Sequence, residues 1–109
     1  MTKKELAKQV WDQLAKVVDP ELGIDIVSLG LVYDVLVELD PLKIDIDLTL
    51  TTAGCPLAGV IQAMVVQAAL DIKLKDLSKD KVRVNLVFDP PWTPDMMSQA
   101  ARTKLKFLL

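Results

Sequence analysis

Histidine is absent from the chain, and cysteine occurs once, at position 55. The first absence removes the commonest general base near neutral pH and the commonest nitrogen ligand for metals. Neither a Cys–His dyad nor a His-supported triad can be assembled within one chain. The second rules out an internal disulfide and any site built from four thiolates of a single chain. Glycine is scarce, with four in 109 residues, and none forms a phosphate-cradling loop. No apolar run approaches the roughly 18 residues needed to span a bilayer. Neither sign of charge dominates: 13 basic against 15 acidic side chains give a formal net charge of -2. Without a basic stripe, nucleic acid is not an expected partner, and no membrane association is expected. The start, M-T-K-K-E-L-A-K-Q, has no apolar signal core, and one unpaired thiol suits a reducing compartment. The cytoplasm is the expected location.

What remains is a chain with 51% hydrophobic and 26% charged residues, the balance of one packed domain over residues 1–109. Thr2 and Glu5 fit a capping box for a first helix reaching about Val18, with Leu6, Val10, Leu14 and Val17 as its apolar stripe and Trp11 beside it. Asp19-Pro20 is read as its stop. An apolar connection follows, with Ile24, Ile26, Val27, Leu29 and Leu31 expected to tuck under the fold.

Period-2 alternation then marks two strands around the turn Asp40-Pro41-Leu42. Tyr33, Val35, Val37 and Leu39 share one face of the first. Ile44, Ile46, Leu48 and Leu50 alternate in the second with Asp45, Asp47, Thr49 and Thr51. A third strand, about Lys81–Phe88, turns Val82, Val84, Leu86 and Phe88 inward. The pattern predicts a two-layer α/β (α+β) fold in the order α-β-β-α-β-α, with a three-stranded sheet and helices mainly on one face. Whether the third strand lies parallel beside the second or antiparallel beside the first is open at this level.

The second helix, from about Pro56 or Leu57 to Asp71 or beyond, carries the stripe Leu57, Ile61, Met64, Ala68 and Ile72. Its other side holds Val60, Ala63, Val66 and Ala69, more apolar than a surface helix should be. Flanking helices on both sides or a homodimer interface would each account for it. The last helix is predicted to start near Thr93 as N-cap with Pro94 at its first position, and Met97, Ala101, Leu105 and Leu108 form its stripe.

Between the second strand and second helix runs T-L-T-T-A-G-C-P-L-A (Thr49–Ala58). Gly54 permits a sharp turn and Pro56 suits a first helical position, which places Cys55 at the N-cap. There the unpaired amides of the first turn would favour thiolate over thiol, and thiolate is both nucleophile and metal ligand. Burial against Leu57 would oppose this, and a lone cysteine is often only a small buried hydrophobe. Thr51 and Thr52 are candidates to donate to the sulfur or to a bound group. Two further patches are candidates to join it. In Phe88-Asp89-Pro90-Pro91-Trp92-Thr93-Pro94, a rigid corner, Trp92 either shields the thiol or seals the core. In Asp19-Pro20-Glu21, Glu21 either supplies an oxygen ligand or is a solvated carboxylate. Met96 and Met97 read as core residues. One thiolate per chain could reach a shared iron–sulfur cluster across a two-fold axis, other ligands coming from small thiols, carboxylates or a client.

The stretches D-P-E-L-G-I-D-I-V-S-L-G-L-V-Y-D-V (Asp19–Val35), L-T-T-A-G-C-P-L (Leu50–Leu57) and F-D-P-P-W-T-P-D-M-M-S (Phe88–Ser98) resemble the signature blocks of the MIP18 family, formerly DUF59. That family includes SufT-type and PaaD-like proteins, and the resemblance extends from about residue 6 to 106. It implies a compact domain akin to iron–sulfur cluster assembly domains. The implied role is in maturing or targeting iron–sulfur proteins rather than turning over a small substrate. The family's cysteine maps onto Cys55, its acidic element onto Asp19 and Glu21, and its corner onto Pro90, Pro91 and Trp92. The resulting expectation is an iron–sulfur assembly, carrier or targeting factor whose Cys55 ligates iron or a transient cluster not retained in aerobic preparations. Its partners would be assembly machinery and client apoproteins. The alternatives are a non-catalytic adaptor and a thiol-dependent redox or sulfur-transfer enzyme, with an enzyme the less favoured reading.

Overall fold

The computed structural model describes residues 1–51 and 57–108, with side chains through Lys106. Six main elements follow in order: α1 (Lys3–Leu14), β1 (Val32–Leu39), β2 (Leu42–Leu48), α2 (Ala58–Leu70), β3 (Val82–Leu86) and α3 (Gln99–Leu108). The sheet has the order β1-β2-β3, with β1 antiparallel and β3 parallel to β2. This is the two-layer α-β-β-α-β-α arrangement, and the strand order left open by the sequence is the one that needs a crossover through α2. Leu6, Val10 and Leu14 of α1, Ile61, Val65 and Ala69 of α2, and Ile44, Ile46 and Leu48 of β2 form one buried cluster.

The capping box is present: Thr2 Oγ1 accepts from the Glu5 amide at 3.1 Å, and the Glu5 carboxylate accepts from the Thr2 amide at 3.3 Å. The helix ends at Leu14, four residues before the predicted boundary. The amides of Lys16 and Val17 bond three residues back, to Gln13 and Leu14, and the Val17 carbonyl is taken by the Ile26 amide at 2.9 Å. Competition from that small β-bridge, not Pro20, closes α1, and Val18 is exposed.

In β1 the alternation breaks at an irregularity between Val32 and Asp34. Val32 and Val35 are both buried although their spacing is odd, because a bulge residue shifts the phase by one. Tyr33 is only half-buried and Leu39 lies at the solvent edge, so the predicted four-residue face reduces to Val35 and Val37. β3 stops at Leu86, and Phe88 is exposed rather than inward.

Thr49, assigned to the polar face, is fully buried. Its amide leaves the sheet pattern to bond the Leu31 carbonyl at 2.8 Å, and among the described residues its Oγ1 has no hydrogen-bond partner. Burying an unsatisfied hydroxyl costs about 1–3 kcal/mol. Thr49→Val is therefore expected to raise the unfolding free energy by about 1 kcal/mol in a urea titration.

On α2 the buried stripe is Ile61, Val65, Ala68 and Ala69, rotated from the predicted one; Leu57 and Met64 are half-buried at its margin. The helix packs against α1 on one side and β3 on the other. That flanking buries much of its apolar surface but leaves Val60 and Ala63 in solvent. The last helix begins five residues later than predicted. Thr93 and Pro94 open a single 3₁₀ turn over Pro94–Met96, Met97 is extended, and Ser98 Oγ accepts from the Ala101 amide at 3.1 Å as the N-cap of α3. Pro94 is pre-set for a helical turn, but the extended backbone at Met97, which is buried with Ala101, separates that turn from α3.

Candidate functional site

The connection after α1 is a tight loop built by one buried carboxylate. Asp19, 6% exposed, accepts at Oδ1 from the amides of Glu21 and Leu22 at 2.8 and 3.1 Å. Its own carbonyl takes the Gly23 amide at 2.8 Å, and Gly23 has φ +68. This aspartate turn leaves Glu21 exposed. Lys104 of α3 donates to the Gly23 carbonyl at 2.9 Å and ties the last helix to the loop.

The proline-rich corner is strapped across residues 28–33 by four contacts. The Trp92 indole N–H donates to the Leu29 carbonyl at 2.8 Å, the Tyr33 hydroxyl to Pro90 at 2.7 Å, and the Ser98 amide to Ser28 at 2.8 Å. Gly30, with φ +76, lies so close to Met96 that an added Cβ would stand 2.4 Å from its carbonyl oxygen.

Loop and corner meet over a pocket of about 290 Å³. Asp19, Glu21, Leu22, Thr51, Leu57, Ile61, Trp92, Pro94 and Leu105 line it. Three residues singled out from sequence, Glu21, Thr51 and Trp92, thus share one cavity although they come from three distant stretches. Trp92 both seals the core through its hydrogen bond and presents a half-buried face to the pocket. Thr52 and Cys55 lie outside the described residues, as do Gly54 and Pro56. The helix expected from about Pro56 or Leu57, with Cys55 as its N-cap, starts at Ala58, with Leu57 in the cap position and no side-chain cap bond among the described residues.

Sequence reasoning missed the apolar walls contributed by Leu22 and Leu105. Leu105 lies on the stripe of a helix whose docking place is set only by tertiary contacts. The signal for Asp19's role is its residue type before a proline, since aspartate side chains accept from the backbone two residues on in turns, as Asp19 does from Glu21. Asp19→Ala leaves two amides without their acceptor and is expected to cost about 2 kcal/mol. Asp19→Asn, which keeps an oxygen there, should cost clearly less in the same denaturant titration. Among the described residues, no three His, Cys, Asp or Glu side chains converge as a metal cage.

Comparison with known proteins places this geometry in context. The family model for iron–sulfur cluster assembly proteins matches residues 7–84. The chain is 46% identical over 101 residues to the Fe-S protein maturation auxiliary factor YitW of Bacillus subtilis, covering 92% of this chain and 93% of that protein. It is 47% identical over 90 residues to the Fe-S protein maturation auxiliary factor SufT of Staphylococcus aureus, covering 82% and 96% respectively. Both names describe auxiliary factors, not enzymes. A crystal structure of a DUF59 domain from Bacillus anthracis superposes with a TM-score of 0.83 at 36% identity, covering 95% of this chain and 94% of that one. The chain belongs to the iron–sulfur cluster assembly protein family, the MIP18 or DUF59 group that includes the SufT-type maturation factors, and its general role is in iron–sulfur cluster assembly.

Proposed function

We propose that this protein carries iron or a transient iron–sulfur cluster on Cys55, in the cytoplasm, and passes it to client apoproteins by thiolate exchange. One observation carries the reading: Thr51 and Leu57, the described residues on either side of the 52–56 segment, both line the pocket that Glu21 and Trp92 also line. Two residues of extended chain span about 7 Å, so a thiol two positions before Leu57 has the pocket within its reach. Around it stand a solvent-facing carboxylate, a threonine and an indole face. These suit a cargo ligand that must be held and released. A soft thiolate binds iron–sulfur species, a single protein thiolate leaves positions free for exchange, and the apolar walls limit water. A cluster shared by the Cys55 thiolates of two copies would supply two of its ligands from protein. The relatives' names support the same direction, since they describe maturation of Fe-S proteins.

Anaerobic reconstitution with iron and sulfide tests this. The wild type is expected to develop a visible sulfur-to-iron absorption that Cys55→Ser does not develop. An equal chromophore in the variant removes the thiol from the account and leaves an adaptor that docks clients without carrying cargo.

A further inference from the structure

On the other side of the corner is a second concavity, open to solvent and about 570 Å³ in volume, lined by Gly30, Val32, Tyr33, Pro90 and Met96. Pro90 and Met96 face this groove, whereas Trp92 and Pro94, between them in sequence, line the first pocket. The strap therefore separates two distinct surfaces. The groove is almost wholly apolar, and exposed Phe88 precedes it by two residues. Its walls are fixed by the Tyr33–Pro90 hydrogen bond and by the close packing of Met96 on Gly30, so an occupant would pay little to order them.

The sheet rung next in register to groove-lining Val32 is unusual. Val32 pairs with Leu48, and next to them Asp34 stands opposite Asp47. Like charges directly opposite are destabilising. Asp34 Oδ1 accepts its neighbour's amide, from Val35 at 2.9 Å, and Asp47 Oδ1 accepts from Asn85 Nδ2 at 3.1 Å. Among the described residues neither aspartate has an ion-pair partner. Further along this face Arg83 meets Asp45 at 4.0 Å and Lys43 stands opposite Glu38 in register, while Lys3 of α1 meets Glu38 at 3.1 Å. Asp89 and Asp95, each adjacent in sequence to a groove-lining residue, are also exposed.

We propose that the Tyr33 groove docks a segment of a partner protein that presents an apolar side chain next to a lysine or arginine. The apolar side chain fills the space among Val32, Tyr33, Pro90 and Met96, and the cation answers the Asp34–Asp47 pair. The same carboxylates repel acidic segments. This surface is separate from the pocket lined by Glu21 and Trp92, so it can hold a partner while cargo is handled elsewhere, as the proposed function has it.

The test is an NMR titration of the full-length, isotopically labelled protein with three blocked peptides: Gly-Leu-Arg-Gly, Gly-Leu-Glu-Gly and Gly-Gly-Arg-Gly. The Leu-Arg peptide is expected to shift the amides of Tyr33, Asp34, Asp47 and Met96, with affinity falling as salt rises. The other two should bind about 10-fold more weakly or worse, as should the Leu-Arg peptide to the Asp34→Asn/Asp47→Asn double variant. Asp34→Asn alone, which removes one of two like charges without changing shape, serves if the double variant is poorly folded. Equal binding of the Leu-Glu peptide, undiminished binding by the variants, shifts confined to the Trp92 pocket, or no shifts at millimolar peptide would each overturn the proposal.

Discussion

Gly30→Ala is expected to lower the unfolding free energy by about 3–5 kcal/mol, among the larger effects a single methyl group can have. Two causes add. At φ +76 a residue with a Cβ is held in the left-handed region, which costs about 1–2 kcal/mol. The new methyl would also stand 2.4 Å from the Met96 carbonyl oxygen and 2.9 Å from its carbonyl carbon. Those are backbone atoms that cannot swing aside, so the strap over residues 94–96 must lift. For a domain of this size the thermal midpoint should fall by roughly 15–25 °C. Gly23→Ala is the matched control. Gly23 has a similar φ of +68, but among the described residues nothing lies within 4 Å of the added atom, so only the conformational cost of about 1–2 kcal/mol applies. Similar losses for the two variants would mean that the strap does not press on Gly30.

The second large effect is functional. Cys55→Ser is expected to reduce transfer of a cluster to an apo-ferredoxin by about 100-fold or more, to background. Changes in the shell around a ligand already cost 10–100-fold in metal affinity, and under the proposed function the ligand itself changes. A serine hydroxyl is a hard donor that stays protonated near neutral pH, whereas thiolates are the soft ligands that iron–sulfur species take. Glu21→Gln tests the rim separately: it removes an exposed charge that no described hydrogen bond uses for folding. A milder loss there with stability intact would place the carboxylate in exchange rather than in architecture. Denaturant midpoints recorded alongside separate lost function from lost fold.

Much of the scaffold was legible because local rules and tertiary packing agree. The Thr2–Glu5 capping box, the Leu6–Val10–Leu14 stripe and the alternation of Ile44, Ile46 and Leu48 all carry their own signal. The misreadings cluster where a long-range partner overrides a local preference. Val17 leaves the helix because Ile26 offers it a strand bond, and Thr49 goes inside because Leu31 captures its amide. Phe88 is exposed although it continues the alternation of β3, since that strand ends at Leu86. In the site, the sequence named Glu21, Thr51 and Trp92 but could not say that they share a cavity, because more than 20 positions separate each from the next. Leu105 escaped notice for the same reason.

Iron and acid-labile sulfide, assayed per chain on protein purified without oxygen, put the cysteine-borne cargo to its most direct test. The account predicts iron and sulfide in the wild type and their loss in Cys55→Ser purified in parallel. Equal content in the two proteins would contradict it, as would a wild type that carries neither and cannot be loaded.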